Sequence, residues 1–338
     1  MRVRPREEAA TAMTGLCTDL YEIRMAASYL RRGMTAPATF SLFARKLPRE
    51  RGFLVAAGLA DCLDFLERLH FGADELAYLG DVVHLPHGDL AALGNMRFTG
   101  DVWAVPEGRV VFAGQPFLEV TAPLPQAQLV ETALLNFVTF QSSVAAKAAR
   151  CRLAAPQADL VDFAARRTHG LEAARAVARA SAITGFTGTS YVAAAREFGL
   201  QAVGTMAHSY IEAFPDESTA FRAFADDFPD ATVFLVDTYD TLHGVCTAIE
   251  VAQDLPVGSQ IGIRLDSGDL GDLAVQARRL LDDAGLTSAR IMASGGFDEH
   301  ALAELAEAPI DLFGVGTRMG VSADAPSLDS AYKLVEYD

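Results

Sequence analysis

Three charged residues in the segment RLDSGD, Arg264, Asp266 and Asp269, have the types and spacing to bind a charged substrate. Arg264 stands inside the apolar run 261–265, so strand alternation predicts that its side chain points inward. A buried arginine needs an anionic partner. Asp266 and Asp269 are candidates for that partner, for contacts to ribose hydroxyls, or for Mg²⁺ ligands. The alternative is a structural Arg–Asp pair in which Asp269 caps the next helix.

A histidine follows another apolar run, in the segment GTMAHS. A strand would deliver His208 to the mouth of a pocket, flanked by hydroxyl side chains that include Thr205. A histidine in that place can act as a nucleophile or a general base. Spacing alone favours a packed structural histidine over a catalytic one. We keep His208, with Arg264 and Asp266, as a candidate catalytic residue.

Two glycine-rich clusters come late in the chain, at 294–296 (SGG) and 314–317 (GVGT). Glycines let backbone N–H groups approach an anion closely, and the start of a following helix adds a favourable field. The clusters therefore predict phosphate binding, with two tight turns as the alternative. The adjacent Arg166 and Arg167 suit a pyrophosphate, and a solvated turn is the alternative for them.

Seven short apolar runs each end in a polar or glycine-rich cluster, and helical patterns fill the gaps between the runs. In chain order the seven clusters are RRTHG, FTGTS, TMAHS, DTYDT, DSGDL, SGG and GTR. Strands that alternate with helices predict βαβ units and a parallel sheet, and hence an α/β fold. Because the strands of a parallel barrel all end at one mouth, the seven clusters are expected to meet in one pocket. Right-handed crossovers would close the sheet into a barrel or leave it open. The runs cover 160–163, 182–185, 202–205, 232–236, 261–265, 290–293 and 311–315.

Three segments of different character divide the chain. Residues 14–125 combine strand and helix patterns, which predicts an N-terminal α+β domain with an antiparallel sheet. Residues 126–320 are predicted to form the α/β domain. Residues 321–338 form a return segment whose YKLVEY pattern predicts a strand that rejoins the first domain. Residues 1–13 are charged and alanine-rich, which predicts a loose tail and no secretory signal.

The sequence also predicts one strand and two helices individually. The alternating segment 38–44 predicts a strand, and the amphipathic pattern over 52–69 predicts a helix. A second, longer helical pattern runs from 126 to 154.

Composition and charge exclude several classes of protein. Hydrophobic residues make up 51% of the 338 residues and charged residues 21%, which suffices for a large core and argues against disorder. The formal net charge of −16 argues against a nucleic-acid partner, since a phosphate backbone attracts a basic surface. No apolar run is long enough to span a membrane. The four cysteines lie far apart without metal-ligand spacing, and we expect a cytoplasmic protein.

Taken together, these motifs resemble the nicotinate phosphoribosyltransferase family, in the family's order and from about residue 14 to the end. GTMAHS and RLDSGDL are the most specific pair. The resembling segments are TDLYEIRMA (18–26), ATFSLFARKLPRERGFLVAAGL (38–59), FTGDVWAVPEG (98–108), GTMAHS (204–209), AFPDE (213–217), VDTYDT (236–241), RLDSGDL (264–270), ASGGFDE (293–299), FGVGTR (313–318) and YKLVEY (332–337).

The resemblance implies a type II phosphoribosyltransferase fold. In that fold an irregular seven-stranded parallel α/β barrel stands beside an N-terminal α+β domain. The family usually forms homodimers with active sites at the subunit interface. Its reaction converts nicotinate and phosphoribosyl pyrophosphate into nicotinate mononucleotide and pyrophosphate, for NAD biosynthesis. ATP hydrolysis is coupled to the reaction, and Mg²⁺ is required.

The resemblance also implies roles for single residues. Arg264 matches the arginine that holds the nicotinate carboxylate, and His208 matches the histidine that ATP transiently phosphorylates. Asp266 and Asp269 are the candidate metal ligands. The remaining candidate substrate contacts are Thr205 and Tyr21 at nicotinate, Tyr21 from the partner subunit, and Arg166, Ser294, Gly295, Gly296, Gly316 and Thr317 at phosphates.

The chain departs from the family pattern in several places, and two of them leave alternatives open. The family usually reads GTSN after the second strand, where this chain has Tyr191 in place of the asparagine, and relatives usually continue well past the position of Asp338. Two alternatives therefore stay open. One keeps the fold and changes the acceptor to nicotinamide or another heteroaromatic compound. The other is a non-catalytic relative that binds phosphoribosyl ligands as a sensor.

Overall fold

The computed structural model describes residues 14–229, 232–256 and 259–337. The tail predicted for residues 1–13 lies outside the described residues. Two compact units divide the chain: the first takes in the described residues of Met1–Ser143 and Ser327–Asp338, and the second takes in those of Val144–Pro326. The domain boundaries drawn from the sequence after residues 125 and 320 stay predictions.

The first unit contains a four-stranded antiparallel sheet and a separate antiparallel pair. Its strands are β1 Pro37–Ala44, β2 Leu54–Val55, β3 Asp101–Ala104, β4 Val110–Val111, β5 Pro116–Pro123 and β13 Ser330–Tyr337. The larger sheet has the order β13-β1-β5-β3, and β2 pairs with β4. Phe40 and Leu42 of β1 are buried, as alternation predicts. The segment YKLVEY lies in β13, where Leu334 is in register with Phe40.

Helices accompany these strands, and two of them differ from prediction. They are α1 Leu20–Arg31, α2 Leu59–Arg68, α3 Ala73–Asp81, α4 His87–Gly94, α5 Leu124–Leu129 and α6 Glu131–Ala154. The helix predicted over 52–69 begins only at Leu59, because Gly58 is left-handed (φ +97°) and a Cβ there would lie 2.7 Å from the carbonyl oxygen of Phe137. The helix predicted over 126–154 is two helices, divided at Val130.

The second unit is built on seven parallel strands, which confirms the α/β prediction. They are β6 Asp159–Asp162, β7 Gly188–Thr189, β8 Gln201–Ala202, β9 Thr232–Leu235, β10 Ile261–Leu265, β11 Arg290–Ser294 and β12 Leu312–Val315. The sheet order is β8-β7-β6-β12-β11-β10-β9. The sheet is curled like half a barrel, and within the described residues its edges β8 and β9 do not pair. The predicted number of seven strands is therefore confirmed, in an open form of the barrel.

The second predicted strand, at 182–185, is wrong. That alanine-rich segment continues helix α7, which spans Leu171–Ile183, and Gly185 then turns the chain with φ +95°. The strand lies a few residues later, as the two-residue β7. The third strand, β8, also begins and ends earlier than the predicted 202–205, which leaves Thr205 in the following loop.

Helices follow the strands of the second unit, and aspartates begin several of them. After α7 they are α8 Val192–Phe198, α9 His208–Glu212, α10 Glu217–Asp227, α11 Thr241–Gln253, α12 Leu270–Asp283, α13 Glu299–Glu304 and α14 Thr317–Gly320. Asp269 accepts from the backbone N–H of Asp272, so the predicted cap of α12 is confirmed. Among the described helices, none has the length and apolar character needed to cross a bilayer.

A group of four charged side chains, the buried quartet, links α6, α13 and the segment after α14. It consists of Lys147, Arg150, Glu299 and Asp324. Lys147 Nζ lies 2.5 Å from Glu299 Oε2 and 2.8 Å from Asp324 Oδ1. Arg150 lies 2.7 Å from Glu299 Oε1 and 3.0 Å from Asp324 Oδ2. Each carboxylate thus has two cationic partners, as buried charges require.

Candidate active site

Arg264 is the centre of a polar group at the carboxyl ends of the strands. Its strand neighbours Ile263 and Leu265 are buried, and its own side chain is 13% exposed. Its guanidinium donates to the Ser294 hydroxyl (2.8 Å), the Thr205 hydroxyl (2.8 Å), the Met206 carbonyl (3.1 Å) and Asp266 Oδ1 (2.9 Å). A guanidinium has five N–H donors, so one on Nη2 is uncommitted among the described residues.

Asp266 joins the arginine to the histidine. Its Oδ1 accepts from Arg264 and, in a short bond, from the Ser294 hydroxyl, while its Oδ2 lies 3.9 Å from His208 Nε2. Burial raises the pKa of Asp266, but the bonds from Arg264 and Ser294 and the nearby positive charge outweigh it, so the pKa is below its usual value. Asp266 is therefore a carboxylate at neutral pH.

His208 is the first residue of the short helix α9, and its side chain is 41% exposed. Its Nδ1 lies 3.2 Å from the Thr238 hydroxyl. Thr238 follows β9, and its part in orienting the histidine was not predicted from the sequence. The only signal in the sequence is its position directly after an apolar run, in VDTYDT. The ring is thus held at one nitrogen and remains accessible to a ligand.

The main chain of Asp266 is also fixed by a neighbour. Its backbone N–H donates to Asp237 Oδ2 at 3.3 Å, and the Ser267 hydroxyl donates to the same oxygen at 2.5 Å. Asp237 Oδ1 is buried without a hydrogen-bond partner among the described residues. The role of Ser267 in this network was likewise missed in the sequence.

Five residues on two strands, two loops and one helix therefore meet, and we call them the strand-end cluster: Thr205, His208, Arg264, Asp266 and Ser294. All five were singled out as candidates from the sequence. The contacts that join them are those given above. Arg264, Thr205 and Ser294 form what we call the arginine end of the cluster, and His208 forms the histidine end. Asp266 lies between the two ends.

The glycine clusters adjoin the strand-end cluster through β11 and β12. Gly295 and Gly296 follow Ser294 with φ of +132° and +65°, and a Cβ on Gly295 would lie 2.9 Å from the carbonyl oxygen of Asp266. Only glycine fits that close approach. Gly316 and Thr317 stand at the start of α14, which has four residues. Their binding of phosphate stays a prediction.

Two other candidates of the second unit are not joined to the strand-end cluster by any hydrogen bond or ion pair among the described residues. Arg166 is exposed in a 3₁₀ turn, and Asp269 is exposed at its helix cap. Tyr21 lies in the first unit and is 48% exposed. Burial, together with the negative charge of Glu22 and Glu131, raises the pKa of Tyr21 well above its usual value, so its hydroxyl is protonated.

The described residues offer limited support for a metal ion. They contain no group of three or more His, Cys, Asp or Glu side chains placed to hold one. Asp266 is already engaged by Arg264 and Ser294, and Asp269 caps a helix. Because Mg²⁺ is commonly held by one or two carboxylates together with substrate phosphates, these residues fit an ion that arrives with a phosphorylated substrate.

Comparisons with known proteins agree with this picture. The chain matches the nicotinate phosphoribosyltransferase N-terminal domain over residues 16–139 and the nicotinate phosphoribosyltransferase family over residues 158–336. A nicotinate phosphoribosyltransferase of Mycobacterium tuberculosis is 50% identical over 326 residues, which cover 96% of this chain and 70% of that protein. One of Bacillus subtilis is 44% identical over 95% of this chain and 66% of its own length.

A solved structure is similar as well. The crystal structure of human nicotinic acid phosphoribosyltransferase superposes with a TM-score of 0.84 at 31% identity, over 95% of this chain and 74% of the human one. The seven-stranded sheet, the strand-end cluster and the sequence matches along both units lead to one conclusion: the chain belongs to the nicotinate phosphoribosyltransferase family.

Proposed function

We propose that this chain transfers the phosphoribosyl group of phosphoribosyl pyrophosphate to nicotinate, with hydrolysis of ATP. The products are nicotinate mononucleotide and pyrophosphate, and the reaction serves NAD biosynthesis. One observation carries the proposal: a nearly buried guanidinium, with one N–H that no described residue accepts, lies in the same cluster as an accessible histidine. The relatives named above, which are nicotinate phosphoribosyltransferases, support the choice of substrate.

Arg264 binds and orients the acceptor in this proposal. Its free N–H donates a charge-assisted hydrogen bond to the nicotinate carboxylate, and Thr205 lies beside it as a second contact. The ring nitrogen then attacks the anomeric carbon of the ribose. The new N–C bond forms as the bond to the pyrophosphate oxygen breaks, and pyrophosphate leaves with the electron pair. The attacking nitrogen carries no proton, so the chain need not supply a strong base.

The phosphate groups are assigned to the glycine clusters. The backbone of Gly295, Gly296 and Gly316, with the Thr317 hydroxyl, binds them, and Arg166 adds positive charge. Asp266 and Asp269 are the carboxylates that would hold Mg²⁺, and the ion, when bound with the pyrophosphate, would supply positive charge to the leaving group. These assignments extend the sequence prediction.

His208 is assigned to the coupling with ATP. A neutral imidazole nitrogen attacks the γ-phosphorus, the N–P bond forms, and ADP leaves with the electrons of the broken P–O bond. Water later hydrolyses the N–P bond and releases phosphate. The test is His208→Ala, which should form nicotinate mononucleotide without stimulation by ATP. ATP that leaves the turnover of the native chain unchanged would contradict the coupling.

A second acceptor, nicotinamide, is favoured by one observation. Asp266 neutralises Arg264, so the site as it stands has little net positive charge to offer a carboxylate. A neutral amide would avoid the repulsion of Asp266. Mass spectrometry of the products formed from an equimolar mixture of nicotinate and nicotinamide, with and without ATP, decides between the two. Nicotinate mononucleotide as the main product supports the first proposal, and nicotinamide mononucleotide supports the second.

We further propose that the chain acts as a cytoplasmic homodimer, as the family resemblance implies. Tyr21 would then contact nicotinate in the partner's site. Sedimentation equilibrium measures the dimer directly. A strictly monomeric chain with full turnover would contradict this part of the proposal and leave the chemistry untouched.

A further inference from the structure

We propose that Asp266 acts as a switch between the two ends of the strand-end cluster. It occupies Arg264 while His208 is unphosphorylated, and it releases Arg264 to a carboxylate acceptor when His208 carries a phosphoryl group. The inference rests on the proposed function, because it explains how cleavage of ATP at His208 would raise the affinity for nicotinate.

The two carboxylate oxygens of Asp266 face different neighbours, Arg264 and His208. Its Oδ1 takes the Nη2 donor of Arg264 at 2.9 Å and also accepts from the Ser294 hydroxyl. Its Oδ2 faces His208 Nε2 at 3.9 Å, beyond hydrogen-bond distance. The Asp266 carboxylate therefore interacts with the charge on both Arg264 and His208. Its side chain is 31% exposed, which leaves it room to change rotamer.

Nicotinate competes with Asp266 at the arginine end. Four of the five guanidinium donors are committed, and the fifth shares Nη2 with the donor that Asp266 accepts. The nicotinate carboxylate would bind at this fifth donor, on the same nitrogen that Asp266 contacts. The carboxylate of nicotinate would then lie beside the carboxylate of Asp266, and two neighbouring negative charges repel each other. Asp266 thus holds the acceptor site in a low-affinity state.

A phosphoryl group changes the balance at the histidine end. It adds a charge of about −1.5 to −2 at neutral pH, next to Asp266 Oδ2. Because Asp237 holds the backbone N–H of Asp266, the response is expected in the side chain and not in the main chain. Rotation of the carboxylate away from His208 and Arg264 frees Nη2 for nicotinate.

Asp266→Asn tests the switch, because asparagine keeps the shape and loses the charge. Nicotinate is titrated into the native chain and the variant by calorimetry, without ATP, with nicotinamide as the neutral probe. We expect the Kd for nicotinate to fall about five- to tenfold in the variant, from relief of the like-charge repulsion, and the Kd for nicotinamide to change less than twofold. Asp254→Asn, which removes a carboxylate from an exposed Arg–Asp pair elsewhere in the second unit, should change neither.

Unchanged or weaker binding of nicotinate by Asp266→Asn, in a variant with native circular dichroism, overturns the switch. If that variant does not fold, the native chain decides by steady-state kinetics. ATP, but not an analogue that cannot transfer its γ-phosphoryl group, should lower the KM for nicotinate and leave that for nicotinamide unchanged. Equal effects on both acceptors would refute the release of Arg264. A native chain that makes no product refutes the proposed function, whereas the calorimetric comparison needs no turnover.

Discussion

The buried quartet and the strand-end cluster both pair an arginine with carboxylates, and they differ in how accessible their side chains are to a ligand. In the quartet, two cations and two carboxylates pair four ways, and Lys147 is 3% exposed. In the cluster, Asp266 is 31% exposed and His208 is 41% exposed. Both lie in the second unit.

The difference separates stability from chemistry. In the quartet each carboxylate oxygen faces a cation and the carboxylates are nearly buried, so its members serve to compensate one another. An arginine that shares a partly exposed carboxylate with an accessible imidazole can bind an anion and respond to it. Residue types and ion-pair distances alone would not distinguish the two groups. Exposure distinguishes them: the side chains of Glu299 and Asp324 are 8% and 11% exposed, whereas that of Asp266 is 31% exposed.

Lys147→Met is expected to have the largest effect on stability. It leaves the carboxylates of Glu299 and Asp324 with Arg150 as their shared cation, and breaking a buried pair in this way costs about 3–5 kcal/mol. Urea unfolding followed by circular dichroism measures the loss. The matched control is Lys46→Met, which removes a lysine that is 77% exposed beside Asp329. Equal midpoints for the two variants would show that the quartet is not structural.

Arg264→Ala should act mainly on catalysis. With ATP present, it is expected to lower kcat/KM for nicotinate by about 10- to 150-fold, or about 1.5–3 kcal/mol for a lost charge-assisted hydrogen bond. The control Arg222→Ala, at an exposed pair, should leave kcat/KM unchanged. Full activity of Arg264→Ala with nicotinate would remove the arginine from the acceptor site.

The sequence predicts the sheet better than it predicts the site. Strands such as β10 and β11 are buried on both faces and read as continuous apolar runs. The two-residue β7, Gly188–Thr189, carries no such run, so the nearby alanine-rich segment was mistaken for it. A helix continues through that segment because nothing before Gly185 stops it.

Within the site, strand ends were predictable and loop partners were not. Arg264 and Ser294 belong to strands, so the parallel sheet brings them to one edge. Thr238 and Ser267 are hydroxyl residues of loops, whose contacts depend on the path of the loop and leave no periodic pattern. The sharing of Asp266 between Arg264 and His208 likewise required coordinates.

Asp162 and Asp266, two aspartates at strand ends, should affect stability in opposite directions as the pH changes. Burial raises the pKa of Asp162, although bonds from Ala164 and Thr189 oppose the rise. The folded chain thus holds this proton more tightly than the unfolded chain. That stability is complete below the unfolded pKa of about 4 and is lost as the pH rises through the raised folded pKa. Asp162→Asn should therefore gain stability relative to the native chain as the pH rises above 4.

Asp266 serves as the opposite case for that measurement. Its folded pKa is lowered, so its contribution is present above the unfolded pKa and is lost as the pH falls through the folded pKa. Asp266→Asn should lose stability relative to the native chain as the pH rises towards 4 and above. Urea unfolding at a series of pH values gives both differences. If the stability differences of the two variants changed in the same direction with pH, the assigned directions of the two pKa shifts would be contradicted.

The smallest effect is expected at the pair of Arg222 and Asp254. Their side chains are 48% and 65% exposed and 2.6 Å apart, so water and salt screen the attraction. Asp254→Asn should change the free energy of unfolding by less than about 1 kcal/mol, and added salt should shrink the difference further. A loss as large as that of Lys147→Met would mean that distance, and not burial, sets the strength of these pairs, and the contrast between the two regions would fail.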